Sequence, residues 1–153
     1  MDLAISLIQR LLAWRVRPHR LTRLDFKDGV PEDARTMVIV PTMITSVEGV
    51  AALIEHLEVL AHGNLDPNIH FAILSDFADA DERELADDAE IIAAAKAGIE
   101  DLNQRMGPEH VDRFFLFHRD RQWNSREQVW MGWERKRGKL EESNRLLRGA
   151  TDT

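Results

Sequence analysis

The chain has 153 residues, of which 44% are hydrophobic and 31% are charged, and its formal net charge is −7. This length suffices for one domain with a hydrophobic core, and the acidic balance argues against general nucleic-acid binding, which requires a basic face. The sequence contains no cysteine, which excludes disulfides, cysteine-ligated zinc and thiol catalysis.

Residues 1–20 are predicted to form an amphipathic helix that is apolar first and basic later, up to Arg20. Because the charge follows the apolar part, this segment is not a secretory signal. It either packs on the domain or continues from a membrane span, since Arg and Trp are typical of the cytoplasmic end of such a span. The sequence itself has no run of roughly 18–20 apolar residues that would cross a bilayer.

Strands and helices alternate in the rest of the chain. Apolar, β-branched runs predict strands at 36–42, 68–76 and 112–119. Helices are predicted from a capping box at Thr45 and Glu48 up to Gly63, from about residue 89 to 106, and from about 134 to 148. The order β-α-β-α-β-α predicts an α/β fold with a mostly parallel sheet, in which ligands lie beyond the carboxyl ends of the strands.

Polar side chains stand at all three predicted strand ends. The strands end in Pro41-Thr42, Ser75-Asp76 and His118-Arg119. Asp76 is placed to accept hydrogen bonds from a base or a ribose, although the pattern alone favours a turn or helix-cap role. Neither G-x-G-x-x-G nor G-x-x-x-x-G-K-[ST] occurs, so the common glycine-rich phosphate motifs are missing.

A basic cluster marks the start of the last helix. Lys136, Arg137 and Lys139 surround Gly138. Backbone N–H groups at a helix start favour anions, so this cluster could hold a diphosphate. In the other interpretation it is a solvated helix face with an ion pair between Arg137 and Glu141.

The sequence predicts no metal site. Asp79 and Asp81 form a D-x-D pattern on an acidic loop, where carboxylates are usually solvated and no further ligands complete a set. The six histidines lack H-E-x-x-H spacing.

Three stretches carry a specific resemblance: LTRLDFKDGVPEDA (21–34), RTMVIVPTMITSVEGVAALIEHLEVLAHGNLDPNIHFAILSDFADA (35–80) and RFFLFHRDRQWNSREQVWMGWERKRGKLEESNRLLRGATDT (113–153), above all its part WMGWERKRGKLEESNRLLRG. With most of the remaining chain, they strongly resemble the glycosyltransferase region of the cyclic β-1,2-glucan synthases, which are very large bacterial inner-membrane enzymes. The resemblance implies a three-layer, GT-A-like nucleotide-sugar-binding half-domain. It also implies UDP-glucose as the donor and a growing β-1,2-glucan as the acceptor.

Carried over to this sequence, the resemblance implies a set of donor-binding residues. Pro41 and Thr42 resemble the nucleotide contact of the first strand, and Asp76 resembles the acidic residue on the uracil and ribose side. The element near the diphosphate corresponds to Lys136, Arg137, Gly138, Lys139 and Asn144.

The family's metal-binding D-x-D, which implies Mg²⁺ or Mn²⁺ for the full-length enzyme, and its catalytic base lie further along the chain, and Asp79 and Asp81 do not align with that motif. The chain is therefore expected to be the N-terminal part of a catalytic domain. It should bind UDP-glucose weakly, without a catalytic residue or metal of its own.

Two regions and two functions follow as expectations. Residues 1–20 would be a juxtamembrane helix that contacts the inner membrane or the rest of the synthase, and residues 21–153 a partial glycosyltransferase domain. The alternative is a non-catalytic interaction or membrane-surface module derived from that domain. We expect a homo-oligomer that binds no nucleic acid. Its location would be the cytoplasmic face of the inner membrane in the parent protein and the cytoplasm for the fragment.

Overall fold

The computed structural model describes residues 2–16, 26–106 and 113–151. The helices are α1 (Asp2–Arg15), α2 (Val47–His62), α3 (Asp88–Arg105) and α4 (Arg135–Leu147), with a short 3-10 turn at Glu32–Ala34. The strands are β1 (Thr36–Ile44), β2 (Ile69–Phe77), β3 (Phe114–Arg119), β4 (Gln122–Asn124) and β5 (Val129–Met131). Predictions that involve residues 17–25, 107–112 and 152–153 lie outside the described residues.

Strands β1, β2 and β3 form a parallel sheet in that order. The register places Thr36 opposite Ile69, and Phe71 opposite Phe114. Strand β2 lies in the centre, and its last seven residues are buried. Such continuous burial explains its unbroken apolar sequence, because a central parallel strand is covered on both faces. The predicted α/β class is confirmed: a three-strand parallel sheet flanked by helices, consistent with a Rossmann-like half-domain.

The hydrophobic core lies between the sheet and the layer formed by α2 and α3. Alternate residues of a strand share one face, so Phe71 and Phe114 point into this core, where their rings stack with centroids 5.8 Å apart. Helical spacing brings Leu57 and Leu102 to the same core, and both are fully buried. Burial of each such side chain stabilises the fold by about 1.5–3 kcal/mol.

Two predicted boundaries are wrong. Strand β1 does not end at Pro41-Thr42 but continues to Ile44, because a proline without an N–H is tolerated in a strand at the edge of a sheet. Helix α2 is capped by Ser46 instead of Thr45: the Ser46 side chain accepts a hydrogen bond from the N–H of Gly49. Helix α4, as predicted, ends before Gly149, whose φ of +89° is easy only for glycine.

Strands β4 and β5 form an antiparallel hairpin that was not predicted from the sequence. Trp123 on β4 pairs with Trp130 on β5, and Trp130 also forms a β-bridge with Ala80 in the loop after β2. Each strand has three residues, which is too short for an alternating pattern to be recognised in the sequence. The bridge fixes the hairpin beside the carboxyl end of β2.

Helix α1 does not pack on the domain as one interpretation expected. Every described side chain of this helix is exposed, including Leu3 at 86% and Trp14 at 83%. In the described part of the chain, no helix is both long and apolar enough to span a membrane.

Candidate functional site

A cavity of about 290 Å³ opens at the carboxyl ends of β1 and β2; we call it the rim cavity. Its wall comes from the end of β1, from the end of β2 and the loop after it, and from the start of α4. The lining residues are Pro41, Thr42, Met43, Asp76, Phe77, Asp79, Gly132, Arg135, Lys136 and Lys139. Parallel strands place their carboxyl ends on one edge, and α4 lies over this edge on the face opposite α2 and α3.

Asp76 is the buried centre of this edge. Its Oδ1 accepts a hydrogen bond from Arg119 Nε at 2.8 Å, and its Oδ2 lies 2.8 Å from Lys139 Nζ. The Asp76 and Lys139 side chains are each 5% exposed, and Lys139 also donates to the carbonyl of Thr42 at 2.7 Å. Two cations therefore compensate the carboxylate where solvent is almost excluded, as a buried charge requires.

Arg119 connects this carboxylate to α4. Besides Asp76, its guanidinium donates to Glu142 Oε2 and to the carbonyls of Trp133 and Arg135, each at 3.1 Å. Burial alone would lower the pKa of Arg119, but the hydrogen bonds and charges of Asp76 and Glu142 outweigh it and raise that pKa above its usual value. Asp76, Arg119, Lys139 and Glu142 thus form a partly buried charge quartet with two acids and two bases.

The backbone beside the quartet is strained. Glu134 and Arg135 have φ angles of 50° and 47°, in the left-handed region that residues with a Cβ rarely adopt. Each such residue costs on the order of 1–3 kcal/mol and persists only when its surroundings hold it. Here Arg119 holds the carbonyls of Trp133 and Arg135, on either side of Glu134. The quartet therefore also fixes the turn that starts α4.

Two glycines let this turn approach the quartet. A Cβ on Gly138 would lie 2.0 Å from the Trp133 carbonyl oxygen and 3.0 Å from Arg119 Nη1. A Cβ on Gly132 would lie 2.9 Å from Asp76 Cγ. The resemblance implies that Gly138 lies near the diphosphate, but the close neighbours of this glycine are groups of the chain itself.

The predicted donor residues are only partly brought together. Pro41, Thr42, Asp76, Lys136 and Lys139 line the rim cavity. Arg137, Gly138 and Asn144 are absent from that lining, and Arg137 and Asn144 are exposed on α4. Arg137 Nη1 lies 3.8 Å from Glu134 Oε2. The ion pair expected from the sequence was with Glu141 instead.

The two aspartates of the D-x-D pattern do not form a metal site with other described residues. Asp79 lies 2.8 Å from Arg135 Nη2, and Asp81 is exposed. Among residues 2–16, 26–106 and 113–151, no group of three or more His, Cys, Asp or Glu side chains is arranged to hold a metal ion.

Arg119 stands at a predicted strand end but was not predicted to belong to the site, and neither were Gly132 and Glu142. The sequence does contain a pattern from which the role of Arg119 could have been predicted. An arginine and an aspartate at the ends of two predicted strands become neighbours if those strands are adjacent and parallel. The roles of Gly132 and Glu142 depend on how α4 lies over the sheet, which no local pattern indicates.

No protein-family profile matches the chain. It is 45% identical over 150 residues, or 98% of its length, to the cyclic β-(1,2)-glucan synthase NdvB of Rhizobium meliloti (strain 1021). The aligned part is 5% of the length of that synthase. The resemblance stated from the sequence is thereby confirmed: nearly all of this chain is homologous to a short segment of a cyclic β-(1,2)-glucan synthase.

Proposed function

We propose that the chain is the donor-binding part of a glycosyltransferase that builds cyclic β-1,2-glucan, and that the rim cavity receives UDP-glucose. The observation that carries this proposal is the convergence of polar groups at the carboxyl ends of parallel strands, in a chain homologous to a glucan synthase. The lining has three cations, Arg135, Lys136 and Lys139, and two carboxylates, Asp76 and Asp79. Its charge therefore favours an anionic ligand.

The residues of the cavity divide into two roles. Lys136 is exposed at the first turn of α4, so its ammonium and the N–H groups of the helix start would face the diphosphate. Lys139 is already engaged by Asp76 and the Thr42 carbonyl. The charge quartet would therefore hold the wall of the rim cavity in position without contacting the diphosphate itself. Pro41 and Thr42 would contact the nucleoside of the donor.

Titration calorimetry with UDP and UDP-glucose tests this proposal. We expect millimolar affinity at best, roughly −4 kcal/mol, that weakens with salt, because lysine acts on the diphosphate without a bridging cation. Lys136→Ala should weaken binding further. The matched control is Lys96→Ala on α3, which removes an exposed lysine away from the cavity. Equal affinities of the two variants, or sub-micromolar binding that survives high salt, would contradict the proposal.

We further propose that this chain alone transfers no glucose. The described residues offer no side-chain set that fits Mg²⁺ or Mn²⁺, since Asp79 is engaged by Arg135 and no three ligands converge. The chain would contribute donor binding to a larger enzyme. Metal-dependent turnover of UDP-glucose by the purified chain, above a protein-free blank, would overturn this.

A second function is favoured by α1. Its exposed apolar side chains and Arg10 and Arg15 suit an interfacial helix on an anionic membrane or a partner. Co-sedimentation with vesicles containing anionic lipid should decrease for Leu7→Asp in α1 and stay unchanged for Leu65→Asp, an exposed leucine of the domain. Identical sedimentation of both variants would exclude this role for α1.

Self-association is also proposed. Among the described strands, β1 and β3 each pair on one side only, and α1 exposes Trp14. Free strand edges and exposed apolar residues favour association. Light scattering should show a dimer or larger species, and a monomer over the micromolar range would refute the proposal.

A further inference from the structure

A second cavity, of about 540 Å³, lies between the β4–β5 hairpin and the start of α4; we call it the hairpin cleft. Two tryptophans, Trp123 and Trp133, lie on its wall together with Gln122, Ser125 and four charged residues. The proposed donor site does not use this cleft, although Arg135 lines both cavities. Its volume is within the range of about 300–1,000 Å³ that small-molecule sites occupy.

Two indoles border the cleft and remain open to solvent. Trp123 is 51% exposed and Trp133 is 45% exposed, and Trp123 is held by Trp130 with ring centroids 5.7 Å apart. Single exposed apolar side chains are ordinary, whereas two large aromatic side chains on one concave surface are a feature of ligand-binding clefts. A ligand that covers them must present a flat apolar face.

The charges around the cleft balance. Arg126 and Arg135 are matched by Glu127 and Glu134, and Arg135 lies 3.4 Å from Glu127. This differs from the rim cavity, where cations outnumber carboxylates. The hairpin cleft thus favours a neutral ligand over a phosphate or a nucleotide.

The remaining polar groups suit hydroxyls. Gln122 and Ser125 are exposed on the cleft and supply an amide and a hydroxyl, each of which donates and accepts hydrogen bonds. A neutral molecule with flat C–H faces and a rim of hydroxyl groups matches both the indoles and these groups. Saccharides have this combination.

We propose that the hairpin cleft binds a neutral saccharide of hexose units, stacked on Trp123 and Trp133 and hydrogen-bonded by Gln122. The ligand class follows from the cleft, while the choice of a β-1,2-glucan as probe rests on the proposed function. Because Arg135 lines both cavities, a saccharide here would lie next to a donor in the rim cavity. The hairpin would thereby hold an acceptor-side sugar.

Saccharide titration of the whole chain tests this proposal. Sophorose and longer β-1,2-gluco-oligosaccharides are titrated without nucleotide, and binding is followed by tryptophan fluorescence and by saturation-transfer NMR. Trp123→Ala and Trp133→Ala should each weaken binding by about two- to tenfold, the loss expected for one aromatic contact. Trp133→Phe should retain most of it. The matched control is Trp14→Ala on α1, which removes an exposed indole outside the cleft.

Circular dichroism and thermal melting establish that each variant is folded, and Gln122→Ala provides a test that leaves the indoles intact. No saturable binding by the unmodified chain, or equal binding by the Trp123, Trp133 and Trp14 variants, would overturn the proposal. Loss of self-association in Trp123→Ala, without saccharide binding by the unmodified chain, would assign the indoles to a protein contact instead.

A parallel UDP titration separates the two proposals. UDP binding without saccharide binding sinks only this one, and the reverse sinks only the donor site.

Discussion

Arg119 and Asp76 lie at matched positions on adjacent parallel strands, and the Nε of Arg119 donates to Oδ1 of Asp76 at 2.8 Å. Through this pair, the sheet fixes the turn before α4, because the same guanidinium also holds the carbonyls of Trp133 and Arg135. The proposed donor cavity therefore depends on a residue that need not touch the donor.

Replacing Arg119 by Met should destabilise the fold by about 3 kcal/mol, because it removes one of the two cations that compensate the buried Asp76, together with the hydrogen bonds to the carbonyls of Trp133 and Arg135. Urea denaturation measures this. Arg126→Met removes an exposed arginine of the hairpin and should change the free energy of unfolding by less than about 0.5 kcal/mol. Equal stabilities of the two variants would mean that the quartet contributes nothing to the fold.

Gly138→Ala should destabilise the chain by about 1–3 kcal/mol or more, because the new Cβ would overlap the Trp133 carbonyl. Gly49→Ala in α2 is the matched helical control. Its Cβ would meet Ser46 Oγ at 3.4 Å, and alanine favours a helix, so a neutral or slightly stabilising effect is expected. Thermal unfolding followed by circular dichroism compares them, and a harmless Gly138→Ala would contradict the close approach.

Glu134→Gly should raise the stability by about 0.5–1 kcal/mol, since glycine adopts the left-handed conformation at φ 50° without the cost that Glu134 bears. For a chain of this length, that corresponds to an increase in melting temperature of about 1–4 °C. Differential scanning calorimetry provides the measurement. A decrease would show that the turn is not strained at Glu134.

Ser46→Ala should lower the free energy of unfolding by about 1 kcal/mol, because it removes the side-chain acceptor for the Gly49 N–H at the start of α2. Thr45→Ala should have little effect by comparison. Chemical denaturation of both variants decides between the observed cap and the one expected from the sequence, and a larger loss for Thr45→Ala would favour the latter.

Acidification below neutral pH should destabilise the chain through His118. Burial lowers the pKa of His118 below its usual value of 6.5, against the opposing effect of Asp120, Asp76 and Asp88, while Arg121 lowers it further. The unfolded chain therefore binds the proton more readily. Stability falls as the pH decreases from about 6.5 towards the lower pKa of the folded state.

Unfolding in urea at about pH 7.5 and about pH 5.5 measures this effect. His118→Gln should lose less stability between the two pH values than the unmodified chain. His56→Gln, which replaces an exposed histidine of α2, should behave like the unmodified chain. An undiminished loss in His118→Gln would show that this histidine does not cause the acid sensitivity.

The sequence by itself determined the α/β class, the three parallel strands, the helices between them and the collection of polar residues at the strand ends. It also carried the resemblance to the glucan synthases. These features follow from local signals, because continuous apolar runs and helical spacing are written into neighbouring residues. The direction of crossover connections then leaves few ways to assemble a sheet from such elements.

Only the tertiary structure decided what the polar residues do. Asp76 and Arg119 are 43 residues apart in the chain, and their pairing depends on the register between two strands. Lys139 reads in the sequence as one basic residue among several, yet the position of α4 buries it against Asp76 while Lys136 stays exposed. Which cation is buried in an ion pair and which faces solvent depends on packing over the sheet, because burial is a property of the assembled layers and not of the local sequence.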